Sequence, residues 1–211
     1  MFNLFTPTSQ PPCWLPAARP ASVLQTDRLK RHHRQWAGQR TDRLFFAVLP
    51  DPETAGRIGD LTRHLRASHG LTGKPLETGH LHVSLHHVGD AFGPPPEQLI
   101  EALTERAAAV SMPSFRVAFD RAESFRNGAL VLRGDDGVIG LDVLQQRLND
   151  ALDGRPRPAR AFTPHLTLLH DQHRVPEQAI EPIEWTVREL VLVHSRLGRT
   201  THRPLARWTL G

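Results

Sequence analysis

A single cysteine, Cys13, stands in the 211 residues of this chain. That scarcity removes an internal disulfide framework and any cysteine-built zinc site. It fits a reducing compartment, and a cytoplasmic location is expected. No apolar run approaches the ~20 residues that cross a bilayer, so no membrane partner is expected. The order of a secretory leader is missing too: prolines at 11, 12 and 16 interrupt the first stretch, and the basic run follows it instead of preceding it. There is no Gly-x-x-x-x-Gly-Lys-Ser/Thr loop for ATP phosphates and no His-Glu-x-x-His pair for zinc. Neither a cofactor nor a metal is expected.

What is present describes an ordinary globular protein with an anionic partner in reach. Hydrophobic residues make up 39% and charged ones 23%, and the length suits one substantial domain or two lobes sharing a core. The net charge of +4 and a pI near 10.4 permit attraction to phosphates without specifying an activity. Residues 1–41 are Pro-rich, then basic, and read as a partly disordered extension to a domain over 42–211. The basic run at 28–34 reads as a solvated charged face.

From residue 42 the pattern is regular. Residues 44–49 read as a strand closed by Pro50. Residues 53–68 carry Ala55, Ile58, Leu61 and Leu65 at helical spacing, up to a stop at Gly70. A strand over 80–88, a helix over 97–110, strands over 114–120 and 129–133, and a helix over 141–152 follow. After an Arg/Pro loop at 155–160 come a second histidine-bearing strand and strands over 185–194 and 205–210. This order implies an α+β architecture in two halves, each with a histidine strand after a helix. We expect a bilobal, degenerate duplication: two antiparallel sheets facing a central groove, with helices packed outside.

The histidine strands spell nearly the same words, His82-Val83-Ser84-Leu85 and His165-Leu166-Thr167-Leu168, 83 positions apart. Alternation along a strand sets each histidine beside its hydroxyl residue and turns the residues between toward a core. One such tetrad in a chain with 13 histidines would read as structural. Two copies read as half-sites meeting across a cleft. Imidazole titrates near neutrality, so one ring can accept a proton while the other donates one. The hydroxyls of Ser84 and Thr167 can donate hydrogen bonds to phosphoryl oxygens. Two imidazoles either side of a phosphorus suit an in-line displacement that needs no metal.

Together with the opening strand Leu44-Phe45-Phe46-Ala47-Val48, the Phe162-Thr163-Pro164 lead-in and the run from Glu189 to Ser195, the paired tetrads resemble the 2H phosphoesterases. The resemblance is to the RNA 2′,3′-cyclic phosphodiesterases, also called 2′-5′ RNA ligases, and runs from about residue 44 to the last. It implies hydrolysis of a terminal 2′,3′-cyclic phosphate to a 2′-phosphate, with reverse 2′-5′ joining in some members. It implies His82 as proton donor, His165 as proton acceptor, and Ser84 and Thr167 as phosphate-binding groups, acting on RNA ends or a small nucleotide in a monomer. His87 stands where the family usually has an aromatic residue, and His170 where it often has an arginine. His87, His170, Arg126 and Phe125 are candidate substrate contacts, with Arg196 and Arg199 as further basic candidates.

Three other readings fit the same residues. His80, His82 and His86 would share a strand face and could be read as metal ligands. A groove that binds RNA phosphate without cleaving it is a second. A phosphodiesterase for a small cyclic nucleotide is the third.

Overall fold

A computed structural model describes residues 41–154, 162–198 and 201–211. The expected extension, Thr41 apart, and the Arg/Pro loop lie outside the described residues. The chain runs β1 (Asp42–Val48), α1 (Pro52–Ser68), β2 (Val83–Ala91), α2 (Glu97–Ala107), β3 (Phe115–Ser124), β4 (Ala129–Arg133), α3 (Ile139–Asp153), β5 (Leu166–His170), β6 (Gln178–Val187), β7 (Glu189–Arg196) and β8 (Thr201–Thr209). A 3-10 turn, Thr78–His80, leads into β2.

Local chemistry sets the helix ends. Asp51 caps α1 by accepting from the Thr54 N–H at 2.8 Å and from its hydroxyl at 2.9 Å, with Pro52 in the first turn. Helix α3 stops at Gly154, whose φ of 69° is the left-handed conformation that suits glycine. Helix α2 ends at Ala107, three residues short of the expectation from Leu99, Leu103, Ala107 and Val110. The Val110 N–H instead bonds the Ala107 carbonyl in a turn.

The strands form one antiparallel sheet in the order β6-β3-β4-β5-β2-β1-β7-β8. The two expected sheets are therefore the halves of one sheet, joined through the single pair Val83–Leu166 between β2 and β5. Each half contains a β-α-β unit, β1-α1-β2 and β4-α3-β5, with its tetrad straight after the helix. The halves are not consecutive in the chain, because β7 returns to pair with β1 and carries β8 on its outer side. The apolar run Leu190–Val193 explains this, since it can be buried on both faces only inside the sheet.

One expected strand, 185–194, is two. The chain turns at Arg188, and the missed portion is the polar start of β6, Gln-Ala-Ile-Glu-Pro-Ile-Glu. Pro182 in β6 and Pro204 in β8 sit in the two edge strands, where a missing N–H is tolerated. On one face Leu44, Phe46 and Val48 of β1 enter the main core with all three helices. On the other, Phe45 and Ala47 join Val191 and Val193 in a small cluster that, among the described residues, no helix covers.

Candidate active site

The two tetrads meet at the seam of the sheet. His82 and His165 lie one residue before β2 and β5, not inside them, and the Val83–Leu166 pair follows directly. Continuing that antiparallel register aligns His82 with Thr167 and Ser84 with His165. Each imidazole thus comes near the other half's hydroxyl residue.

Each tetrad also ends in a β-bulge. Ser84 pairs with Ala47 and His86 with Phe46, leaving Leu85 as the extra residue. Thr167 pairs with Val131 and Leu169 with Leu130, leaving Leu168 extra. A bulge reverses the alternation beyond it. In the first half it sends His86 to the helix-covered face, where its Nδ1–H donates to Asn149 Oδ1 at 2.7 Å and its ring meets Phe46. His80, His82 and His86 therefore do not share a face, which dismantles that metal reading. Among the described residues no three His, Cys, Asp or Glu side chains come together as metal ligands. In both halves the bulge returns the fifth residue after the histidine, His87 or His170, to the tetrad face, where both are exposed.

The two rings are held alike. The Nδ1–H of His82 donates to the His80 carbonyl oxygen at 2.7 Å, and that of His165 to the Thr163 carbonyl oxygen at 2.7 Å. A carbonyl only accepts, so the proton is fixed on Nδ1 and Nε2 is left for chemistry. Phe45 packs on the His82 ring at 4.9 Å between centroids, and Phe125 on the His165 ring at 5.0 Å. Ser84 is exposed and Thr167 half-buried. Arg126, next to Phe125, is exposed, and its carbonyl accepts from Arg174 at 2.8 Å.

The His82 side is more enclosed. His202 of β8 stands 5.2 Å from the His82 ring, 4.6 Å from His80 and 5.7 Å from Phe45. Burial, foremost, pushes the His82 pKa below the ordinary histidine value. The bond to the His80 carbonyl opposes this, and the charges of His165, His80 and Arg43 push it lower. His165 is therefore within electrostatic reach of His82. Burial, then His82 and His80, lower His202 to about 4, so it is neutral at physiological pH. Further along this face Arg43 donates to both Asp90 oxygens at 2.8 and 2.9 Å, and the His87 Nε2–H donates to the same carboxylate at 2.7 Å. That bidentate arginine bond, foremost, holds the Asp90 carboxyl well below the usual range.

Phe45, His202 and Arg43 were not legible as site residues from the tetrads, and His80 entered only as a candidate metal ligand. His202 was hidden by a third bulge, at Leu205, which undoes the period-two count from core-facing Trp208.

The sequence model of the 2′-5′ RNA ligase superfamily matches residues 50–199, a span that contains both tetrads. The chain belongs to the 2′-5′ RNA ligase superfamily. E. coli LigT complexed with 3′-AMP is 29% identical, with a TM-score of 0.62 over 81% of this chain and 98% of that one. A crystal structure described as a phosphoesterase is 30% identical, with a TM-score of 0.61 over the same shares. TT0787 of Thermus thermophilus, at 22% identity and a TM-score of 0.60 over 80% of this chain and 97% of that one, shares the fold. No curated protein matches the sequence. As a superfamily member the chain has the LigT-like α+β fold, and its seam suits phosphodiester hydrolysis or ligation. No helix among the described residues is long and apolar enough to cross a membrane.

Proposed function

We propose that the protein opens terminal 2′,3′-cyclic phosphates to 2′-phosphates. In this reading His82 protonates the departing 3′ oxygen, His165 activates water, and Ser84 and Thr167 hold the phosphoryl oxygens. The observation that carries it is the matched pair of imidazoles at the seam, each with Nδ1 tied to a carbonyl and Nε2 left available. The enclosure that lowers the His82 pKa fits a proton donor that releases its proton readily, and an anionic phosphate beside it would favour the charged ring. That LigT structures contain 3′-AMP, ATP or NADP+ supports a nucleotide-bearing substrate. With an RNA 5′-hydroxyl in place of water, the same displacement at phosphorus would form a 2′-5′ bond while the 3′ oxygen departs with its proton, and a monomer suffices for either acceptor.

The test is turnover, with EDTA present, of a short RNA ending in a 2′,3′-cyclic phosphate. A 2′-phosphate product is expected, with kcat lowered ~10²–10⁴-fold in His82→Ala and in His165→Ala. Tight binding without turnover would leave a phosphate-binding module, and turnover confined to mononucleotides would make the substrate a small cyclic phosphate. Roles are assigned with a bridging sulfur at the 3′ position, because a thiolate leaves without a proton. It should rescue His82→Ala and not His165→Ala; the opposite rescue would exchange donor and acceptor.

A further inference from the structure

Residues 72–76, between α1 and the 3-10 turn, are laid along β5. Pro75 forms an antiparallel bridge with Leu169, and the Leu76 N–H donates at 2.8 Å to the carbonyl of Leu168, the bulge residue. The Asp171 carboxylate fastens the start of the segment. One oxygen accepts from the Thr72 N–H at 2.7 Å, the Gly73 N–H at 2.6 Å and the Thr72 hydroxyl at 3.3 Å. The other accepts from the His173 N–H at 2.7 Å. Gly73 passes so close that an added Cβ would overlap the His170 carbonyl oxygen. A loop from the first half is thereby fixed beside the tetrad strand of the second.

The bridge register puts Lys74 opposite His170, and opposed residues of an antiparallel pair share a face. His170 is on the tetrad face. Lys74 is 78% exposed, and its ammonium is 3.9 Å from Glu77, a long and solvated contact that leaves it available to an anion. It is also the only lysine among the described residues, in a chain with 26 lysines and arginines. The ammonium of Lys74 brings three N–H donors on a flexible stem, more than the imidazole of His170, the exposed group at the far end of β5, can offer a phosphate.

We propose that Lys74 is a substrate-binding residue whose ammonium contacts phosphate held over Thr167 and His170. This deepens the reading of the seam as a phosphoester site and rests on it. Four hydrogen bonds to Asp171 order a segment and its neighbour strand, and the exposed charge that segment presents is this ammonium. Asp171 belongs to the latch, since its oxygens are occupied by N–H and hydroxyl donors; among the described residues, Glu77 is the carboxylate paired with Lys74.

The test measures binding, apart from turnover. Wild type, Lys74→Met, Lys74→Arg and Glu77→Gln are titrated with inorganic phosphate and with a short single-stranded RNA ending in a 3′-phosphate. Lys74→Met should bind both about tenfold more weakly, with unchanged Tm, and Lys74→Arg should recover most of the loss. The slope of log affinity against log salt for the RNA should flatten by about 0.7 in Lys74→Met, as one phosphate contact is removed. Glu77→Gln should bind at least as well as wild type. Phosphate should also slow reductive methylation of Lys74. Equal binding by wild type and Lys74→Met would overturn the inference while leaving the phosphoesterase reading intact. Weaker binding by Lys74→Met in a wild type that never turns over RNA would uphold it and sink the hydrolase. A wild type that binds neither ligand would overturn both.

Discussion

His202 shows how one neutral side chain can tune another. Its ring closes off His82 from the β8 side, and its own pKa of about 4 keeps it uncharged while the enzyme works. Its influence on His82 at neutral pH is therefore exclusion of water, not charge. His202→Ala admits water, weakens the burial that dominates the His82 shift, and should move the His82 limb of the pH–rate profile to higher pH. The looser ring should also lower kcat/KM by about tenfold. His202→Phe keeps a ring of similar size in the same gap and should hold both the limb and most of the activity. A pH profile of kcat/KM for the two variants separates this positioning role from a purely structural one, which would move Tm but not the limb. The profile itself should be bell-shaped, since one imidazole must be charged and the other neutral; a monotonic profile between about pH 5 and 9 would refute the two-histidine scheme.

At the level of strands and loops, the bulge decides what the sequence could reveal. Apolar runs made β1, β4 and the tetrads readable, and helical spacing made α1, with its stop at Gly70, and α3 readable. Period-two counting then failed at Leu85, Leu168 and Leu205, because an unpaired residue leaves no mark in composition. The same failure put His86 on the wrong face and concealed His202. The polar edge strands β6 and β8 were misjudged for a different reason: with one side unpaired, they need neither continuous apolar residues nor every N–H. Close approach of the 72–76 loop to β5 was equally silent, and Gly73 makes it testable. Gly73→Ala should be destabilising by about 1–3 kcal/mol, because β5 must shift to admit a Cβ against its own backbone. Activity should fall with it, as Thr167 and His170 move. Gly56, exposed in the middle of α1 with open space around it, gives the contrast: Gly56→Ala should stabilise by about 0.5–1 kcal/mol and leave activity unchanged. Urea denaturation of both variants, with assays alongside, checks the pair.

Over the whole molecule, the return of β7 and β8 ties the last strands to the first and sets the pH response of the fold. His194 of β7 donates through Nε2 to Asp42 of β1 at 2.6 Å. Burial raises the Asp42 carboxyl, but hydrogen bonds from Thr41 and His194 outweigh it and leave the pKa lowered. Asp90 is lowered further, chiefly by Arg43, and Asp171 to about 2, chiefly by the Gly73 N–H. A carboxylate with a depressed folded pKa stabilises the native state above its unfolded value of 3.8, and that stability drains away as pH falls toward the folded value. His82 and His202 act in an earlier window. Both are depressed from 6.5, so below that pH the unfolded chain binds protons that the folded one refuses. Stability is complete above 6.5 and falls as pH drops toward about 4. Acid unfolding should therefore come in two stages. The histidine stage should lower stability by about 1–2 kcal/mol between pH 7 and 5, after discounting His202 for its partial exposure. That corresponds to about 2–4 °C in Tm for each kcal/mol. The carboxylate stage should begin only below about pH 4. Thermal melts from pH 8 to 3 resolve the two. His202→Phe should shrink the first stage to the share of His82 and spare the second, and Asp90→Asn should shrink the second to the shares of Asp42 and Asp171. A single carboxylate transition in the wild type, with Tm level from pH 7 to 5, would show that the imidazoles at the seam are no more reluctant to charge in the fold than in the open chain.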